Sequence, residues 1–211
     1  MKEYKLPIGC DMPETIILAD GDFPSHPLAL EWLRQCPYVV CCDGAANTYI
    51  RSGRMPEAIV GDGDSLLPGI KERYASLIHS EAEQETNDLS KAFRFCLSQE
   101  RKRITIMGAT GKREDHTIGN VSLLADYMEQ AEVSMMTDYG IFVPIREDSM
   151  FESYIGQQIS VFNMNSTALS AEGLAYPLSV FTNWWQGTLN EALARHFIIR
   201  TEGKVLVFRV F

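Results

Sequence analysis

An alternation of short apolar runs with helical patterns constrains this chain more than any other feature. Apolar runs at 15–19, 38–42, 58–60, 77–79, 103–107 and 132–137 are separated by helix-compatible stretches at 26–35, 45–51, 70–74, 87–99 and 117–130. Runs such as TIILA and YVVCC are continuously apolar, which suits strands buried on both faces. Strict alternation at this spacing predicts an α/β fold, a parallel sheet flanked by helices and Rossmann-like in its N-terminal part.

The pattern changes near residue 140. No long helical pattern occurs from 142 to 211, yet this third of the chain holds 11 of its 21 aromatic residues. Strand-like runs recur there in QQISVF, LSVFTN, HFIIR and KVLVFRVF, with turn residues at 201–204 between the last two. A small all-β, sandwich-like C-terminal domain is expected, with the division at 1–140 and 141–211.

Composition narrows the partners. With 19 basic and 28 acidic residues among 211, the formal charge is −9. Such a chain is poorly suited to nucleic acid or anionic membrane, whose phosphates are gripped by Lys and Arg. It still suits a polyphosphate approached through a divalent cation. The five cysteines are odd in number and contain no CxxC pair, which argues against a disulfide framework or a thiolate metal site. The N-terminal MKEYKLPIGCDMPE lacks the apolar core of a signal peptide, and no stretch approaches 18 apolar residues. A cytoplasmic protein is expected.

The carboxylates fall where strands end. Asp20 and Asp22 follow the first run, Asp43 the second, Asp62 and Asp64 the third. In an open parallel sheet the carboxyl ends of the strands form one edge, and ligands bind there. Acids converging on that edge repel one another unless a cation sits among them, and oxygen ligands suit Mg²⁺. Asp20 and Asp22 are read first as turn and cap residues, whereas Gly61-Asp62-Gly63-Asp64-Ser65 reads as a cation-binding turn. Gln84-Glu85-Thr86-Asn87-Asp88 opens a helix on which Asp88 and Lys91 share a face. That pairing offers a third carboxylate beside a lysine suited to phosphate. Gly108-Ala109-Thr110-Gly111-Lys112-Arg113-Glu114-Asp115-His116 runs from strand to helix, a suitable anion site, with Arg113 as a bidentate phosphate partner. Neither a Walker A loop nor a GxGxxG spacing is present.

Taken together, Asp43-Gly44-Ala45-Ala46-Asn47, the Asp62–Asp64 turn, Thr86-Asn87-Asp88 with Lys91-Ala92, and Arg113-Glu114-Asp115-His116 resemble the thiamine pyrophosphokinase family in order and spacing. The resemblance implies transfer of the pyrophosphoryl group of ATP to thiamine, with Mg²⁺, by a homodimer whose sites lie at the subunit interface. It assigns Asp62, Asp64 and Asp88 to the metal, and Asn47, Thr86, Lys91 and Arg113 to ATP. Asp43 and Asp115 then line the reaction site, either able to take the proton of the attacking hydroxyl. Asp115, His116, Leu189 and Asn190 are assigned to thiamine, the last two from Gly187-Thr188-Leu189-Asn190-Glu191. Leu189 stands where the family has a serine, Ala45 where it has a glycine, and Glu85 where Asp is common. Trp184 and Trp185 just ahead are candidates for stacking on a flat ring, for the core or for a dimer contact. On the residues alone, a metal-dependent nucleotide-sugar transferase and a non-catalytic nucleotide-binding module stay open.

Overall fold

The computed structural model describes residues 1–7, 12–81 and 85–211, so Cys10 and Gln84 lie outside the described residues. The chain divides into two compact units, Met12–Asp138 and Met1–Asp11 with Tyr139–Phe211. The opening strand β1 (Lys2–Tyr4) belongs to the second of these.

In Met12–Asp138 the strands are β2 (Thr15–Leu18), β3 (Val39–Cys42), β4 (Ala58–Gly61), β5 (Ile78–Ser80), β6 (Arg103–Met107) and β7 (Glu132–Met136). They stand in the order β7-β6-β2-β3-β4-β5, and every adjacent pair is parallel. Each apolar run of the sequence is one of these strands, within a residue or two at its ends. All four residues of β2, β3 and β4 are buried, as continuous apolar runs require. Ile17 pairs with Val40 on one side and Ile106 on the other, all three inaccessible to solvent. Each such side chain contributes about 1.5–3 kcal/mol by leaving water. From β2 the chain steps outward through β3, β4 and β5, then returns to the other side of β2 for β6 and β7. The winding direction therefore reverses between β2 and β6.

The helices are α1 (Pro27–Gln35), α2 (Ala45–Arg51), α3 (Pro68–Arg73), α4 (Asp88–Ser98) and α5 (Glu114–Tyr127). α1 buries Ala29, Trp32 and Leu33, the i, i+3, i+4 stripe of an amphipathic helix. His26 caps it by accepting the Leu28 N–H at Nδ1, and Pro27 fills the first position. In α4 the stripe is Leu89, Ala92, Phe93 and Cys96, and the Asn87 side chain caps the helix at the Ser90 N–H, 2.9 Å away. Phe93 stacks on Tyr127 of α5 at 3.9 Å. α5 begins three residues earlier than the sequence pattern predicts, because Glu114 and Asp115 complement the positive end of the helix rather than preceding it.

The other unit holds two four-strand groups. One has the order β1, β9 (Ser149–Glu152), β13 (His196–Thr201) and β11 (Leu169–Glu172). The other is β12 (Asn190–Glu191), β10 (Gln158–Asn163), β14 (Val205–Val210) and β8 (Gly140–Ile145). β1 pairs in parallel with β9, so this strand leaves the α/β part to which the sequence reading assigned it. The cause is lateral stacking: Tyr4 lies on Phe151 at 4.8 Å, and Phe151 on Phe197 at 5.0 Å. Arg209 adds two bonds, donating to the carbonyls of Glu152 and Lys5 at 3.0 Å each. The run LSVFTN is not a strand. It is irregular, and Asn183 with Gln186 forms a capping box opening the 3₁₀ turn Trp184–Gly187. β8 escaped the sequence reading because Pro144 interrupts it, and a proline normally demotes a strand.

Candidate active site

The loops that follow β2 to β6 carry most of the candidate residues. Gly61 makes the first of these turns feasible. Its φ is +155°, and a Cβ there would lie 2.8 Å from the Asp43 side chain, so only glycine admits Asp43 beneath the turn. Asp43 itself has φ +21° and is buried, with one carboxylate oxygen accepting the Ser65 N–H at 3.0 Å. The other oxygen is buried without a hydrogen-bond partner. Burial raises the Asp43 carboxyl above the usual carboxylate range, and the facing charges of Asp62 and Asp88 push it further. Asp62 goes the other way. The Asp64 N–H, 3.0 Å from its Oδ1, lowers it, with help from Asp43 and Lys91. Two acids in contact are thus driven apart in proton affinity, a pattern typical of reaction sites.

Asp88 reaches this group from the first turn of α4. Its backbone carbonyl accepts the buried Cys42 thiol at 3.6 Å, which ties α4 to the end of β3. Lys91, only 6% exposed, pairs with Asp88 at 3.2 Å on the shared face foreseen from the spacing. Asp43, Asp62, Asp88 and Lys91 are therefore brought together. Asp64, exposed like Asp62, is not among the charges that act on Asp43.

Other candidates make bonds within the chain. Asn47 donates to the Ser65 carbonyl at 2.8 Å and accepts the Leu67 N–H at 3.0 Å, stitching α2 to the Asp62–Asp64 turn. Thr86 accepts from Arg94 at 3.1 Å. Arg113 holds Asp115 bidentately on the exposed start of α5, and the His116 N–H adds a bond to the same carboxylate. The Arg113 pairing lowers Asp115 to about 2.

Sequence reasoning passed over three positioning residues. Lys71 donates to the Gly63 carbonyl at 2.9 Å and supports the turn from α3. Asn87 and Asn120 are in contact at 3.3 Å, and Asn120 donates to the Ala109 carbonyl, joining the loops after β5 and β6. A lysine eight residues beyond the turn, and an asparagine one helical turn beyond His116, were the available signals.

In the second unit Asn190 is buried, and its side chain serves the backbone. It accepts from Tyr176 N–H and Glu191 N–H at 3.0 and 2.9 Å and donates to the Tyr176 carbonyl at 2.8 Å. Leu189 is 75% exposed at φ +61°, and Trp185 is 72% exposed. Trp184 is partly covered by an edge-on contact with Phe162.

Among the described residues no group of three His, Cys, Asp or Glu is arranged to hold a metal ion. The carboxylates of Asp62 and Asp88, facing each other across Asp43, nevertheless suit a hard cation shared with phosphate. Mg²⁺ commonly takes only one or two carboxylates and completes its shell with substrate oxygens and water. Among the described residues no helix is long and apolar enough to cross a membrane.

Residues 29–136 match the family model "Thiamin pyrophosphokinase, catalytic domain", and residues 140–208 match "Thiamin pyrophosphokinase, substrate-binding domain". Thiamine pyrophosphokinase 1 of Oryza sativa is 30% identical over 129 residues, 49% of each chain. The Bacillus subtilis thiamine pyrophosphokinase is 34% identical over 86 residues, 39% of this chain and 40% of that one. The chain spans about half the length of the curated relatives it matches. A crystal structure of the Bacillus subtilis thiamine pyrophosphokinase superposes with a TM-score of 0.77 at 21% identity, covering 93% of this chain and 98% of the other.

Proposed function

The chain belongs to the thiamine pyrophosphokinase family, and on that premise we propose that it transfers the pyrophosphoryl group of ATP to the hydroxyl of thiamine. The products are thiamine diphosphate and AMP. The observation that carries this reading is the convergence of Asp43, Asp62 and Asp88, from the ends of β3 and β4 and the start of α4, on the nearly buried Lys91.

Phosphoryl chemistry asks chiefly for positioning and neutralisation of charge. Lys91 holds phosphate as a point charge from a nearly buried position, and Arg113 meets a second phosphate from the start of α5. Asp62, Asp64 and Asp88 would hold the Mg²⁺ that accompanies ATP, which when bound would offset phosphate charge. Asp43 is the better proton acceptor for the attacking hydroxyl. It is buried with one oxygen that no donor occupies, whereas both oxygens of Asp115 are engaged by Arg113 and the His116 N–H on the exposed start of α5, so Asp115 serves to orient Arg113 and thiamine. The hydroxyl oxygen bonds to the β-phosphorus, the bond to the α–β bridging oxygen breaks, and AMP leaves.

In this reading the Rossmann-like parallel region is the catalytic domain, with Asn47 and Thr86 supporting the ATP site. Leu189 and Asn190 of the sandwich-like β region serve thiamine, as does His116 of the parallel region, and the protein acts as a homodimer. The free thiols of Cys36, Cys41, Cys42 and Cys96 suit a cytoplasmic setting. Chromatography after incubation with thiamine and Mg²⁺–ATP tests the reaction. AMP and thiamine diphosphate should appear in equal amounts, whereas ADP with thiamine monophosphate would refute it.

A further inference from the structure

The winding of the parallel sheet reverses between β2 and β6, and in such sheets the crevice outside that point receives ligands. Here the two loops at the reversal are tied together. The Gly21 N–H donates to the Gly108 carbonyl at 2.6 Å and the Asp22 N–H to the Thr110 carbonyl at 2.8 Å. The open space lies beside them, toward α2: a cleft of about 130 Å³ lined by Asp20, Gly21, Asp22, Phe23, Thr48 and Lys112.

Both carboxylates in this cleft occupy room made by a glycine. A Cβ at Gly44 would lie 2.5 Å from Asp20 Oδ2, and one at Gly111 would lie 2.0 Å from Asp22 Oδ2. Asp20 is also held from outside. Lys112 donates to its Oδ1 at 3.0 Å and to its backbone carbonyl at 2.9 Å, and does so from φ +55°, a conformation costing a lysine about 1 kcal/mol. The arrangement positions acceptors, and Asp20 and Asp22 precede the residues 29–136 that match the family model.

We propose that this cleft binds the ribose of the adenine nucleotide, with Asp20 and Asp22 accepting its 2′- and 3′-hydroxyls and Phe23 forming an apolar wall beside the sugar. The proposal rests on the reading that ATP is the co-substrate. Two carboxylates repel phosphate but suit a neutral diol, so the sugar end of the nucleotide is the part they favour. A carboxylate has about four lone-pair positions, so the Lys112 bond leaves Asp20 able to accept from a hydroxyl. Whole drug-sized ligands fill clefts of about 300 Å³ or more, and 130 Å³ fits a sugar rather than a complete nucleotide. The Asp43, Asp62 and Asp88 group, with Lys91, is left for the phosphates.

Calorimetry on the native chain, with Mg²⁺ and without thiamine, tests this by comparing ATP with 2′-deoxy-ATP and 3′-deoxy-ATP. A hydrogen bond to a charged group changes affinity about tenfold or more, so each deoxy analogue should bind at least about tenfold more weakly. In Asp20→Asn and Asp22→Asn the gap should narrow for at least one analogue, with ATP itself weakened. Equal affinity for all three nucleotides in the native chain, no binding of ATP, or an unchanged gap in both variants would each overturn the proposal. Thiamine diphosphate formed by a chain that ignores the ribose hydroxyls would sink this inference alone. Ribose discrimination without thiamine diphosphate would sink the proposed reaction alone.

Discussion

Replacing Asp43 with asparagine should stabilise the fold while abolishing turnover. Asp43 is buried, one of its oxygens has no partner, and the nearest charges on it are the carboxylates of Asp62 and Asp88. Its folded-state proton affinity is raised above that of an unfolded carboxyl. The stabilising contribution is therefore present at low pH and is lost as pH rises through the raised value, leaving a penalty at neutrality. In Asp43→Asn the amide oxygen keeps the Ser65 N–H bond, and the amide nitrogen donates toward Asp62 where an orphaned oxygen stood. An unsatisfied buried polar group costs about 1–3 kcal/mol, and for a chain of this size each kcal/mol moves Tm by about 2–4 °C. Thermal unfolding at pH 8 should place the variant at least about 2 °C above the native chain, with the gap closing below about pH 4. Turnover should fall by at least about 10²-fold, since the proton acceptor is lost. A variant less stable than the native chain at pH 8, or more stabilised at pH 4 than at pH 8, would refute this account of Asp43.

Three further outcomes are expected. Asp62→Asn should lower turnover by about 10²-fold or more at saturating Mg²⁺, and Asp64→Asn, whose charge does not act on Asp43, should lower it less; equal effects would contradict the geometry. Asn190→Ala removes three hydrogen bonds to the backbone at Tyr176 and Glu191 and should cost roughly 2–4 kcal/mol in chemical denaturation, beyond any change in the KM for thiamine. Leu189→Gly relieves a left-handed backbone in an exposed position and should leave stability unchanged or raise it by about 0.5 kcal/mol; a marked loss would mean that the leucine side chain packs against something in solution.

The parallel strands were legible in the sequence because burial on both faces forces continuous apolar runs, and β2, β3 and β4 are buried along their whole length. Helices α1 and α4 were legible because one face of each is covered, as the Leu89, Ala92, Phe93 and Cys96 stripe of α4 illustrates. The pairing of Asp88 with Lys91 was legible too, since residues three apart on a helix share a face. All of these are local periodicities. What depends on partners distant in the chain could not be read that way. β1 leaves the α/β part because Tyr4 stacks on Phe151, about 147 residues away, and three residues carry no pattern of their own. The bonds of the Asn47 and Asn190 amides to Ser65, Leu67 and Tyr176 also come only from folding. The proton affinities of Asp43, Asp62 and Asp115 are likewise tertiary. All three begin as the same carboxyl group, and burial against like charge, an N–H bond within a turn, and a guanidinium clamp set them apart.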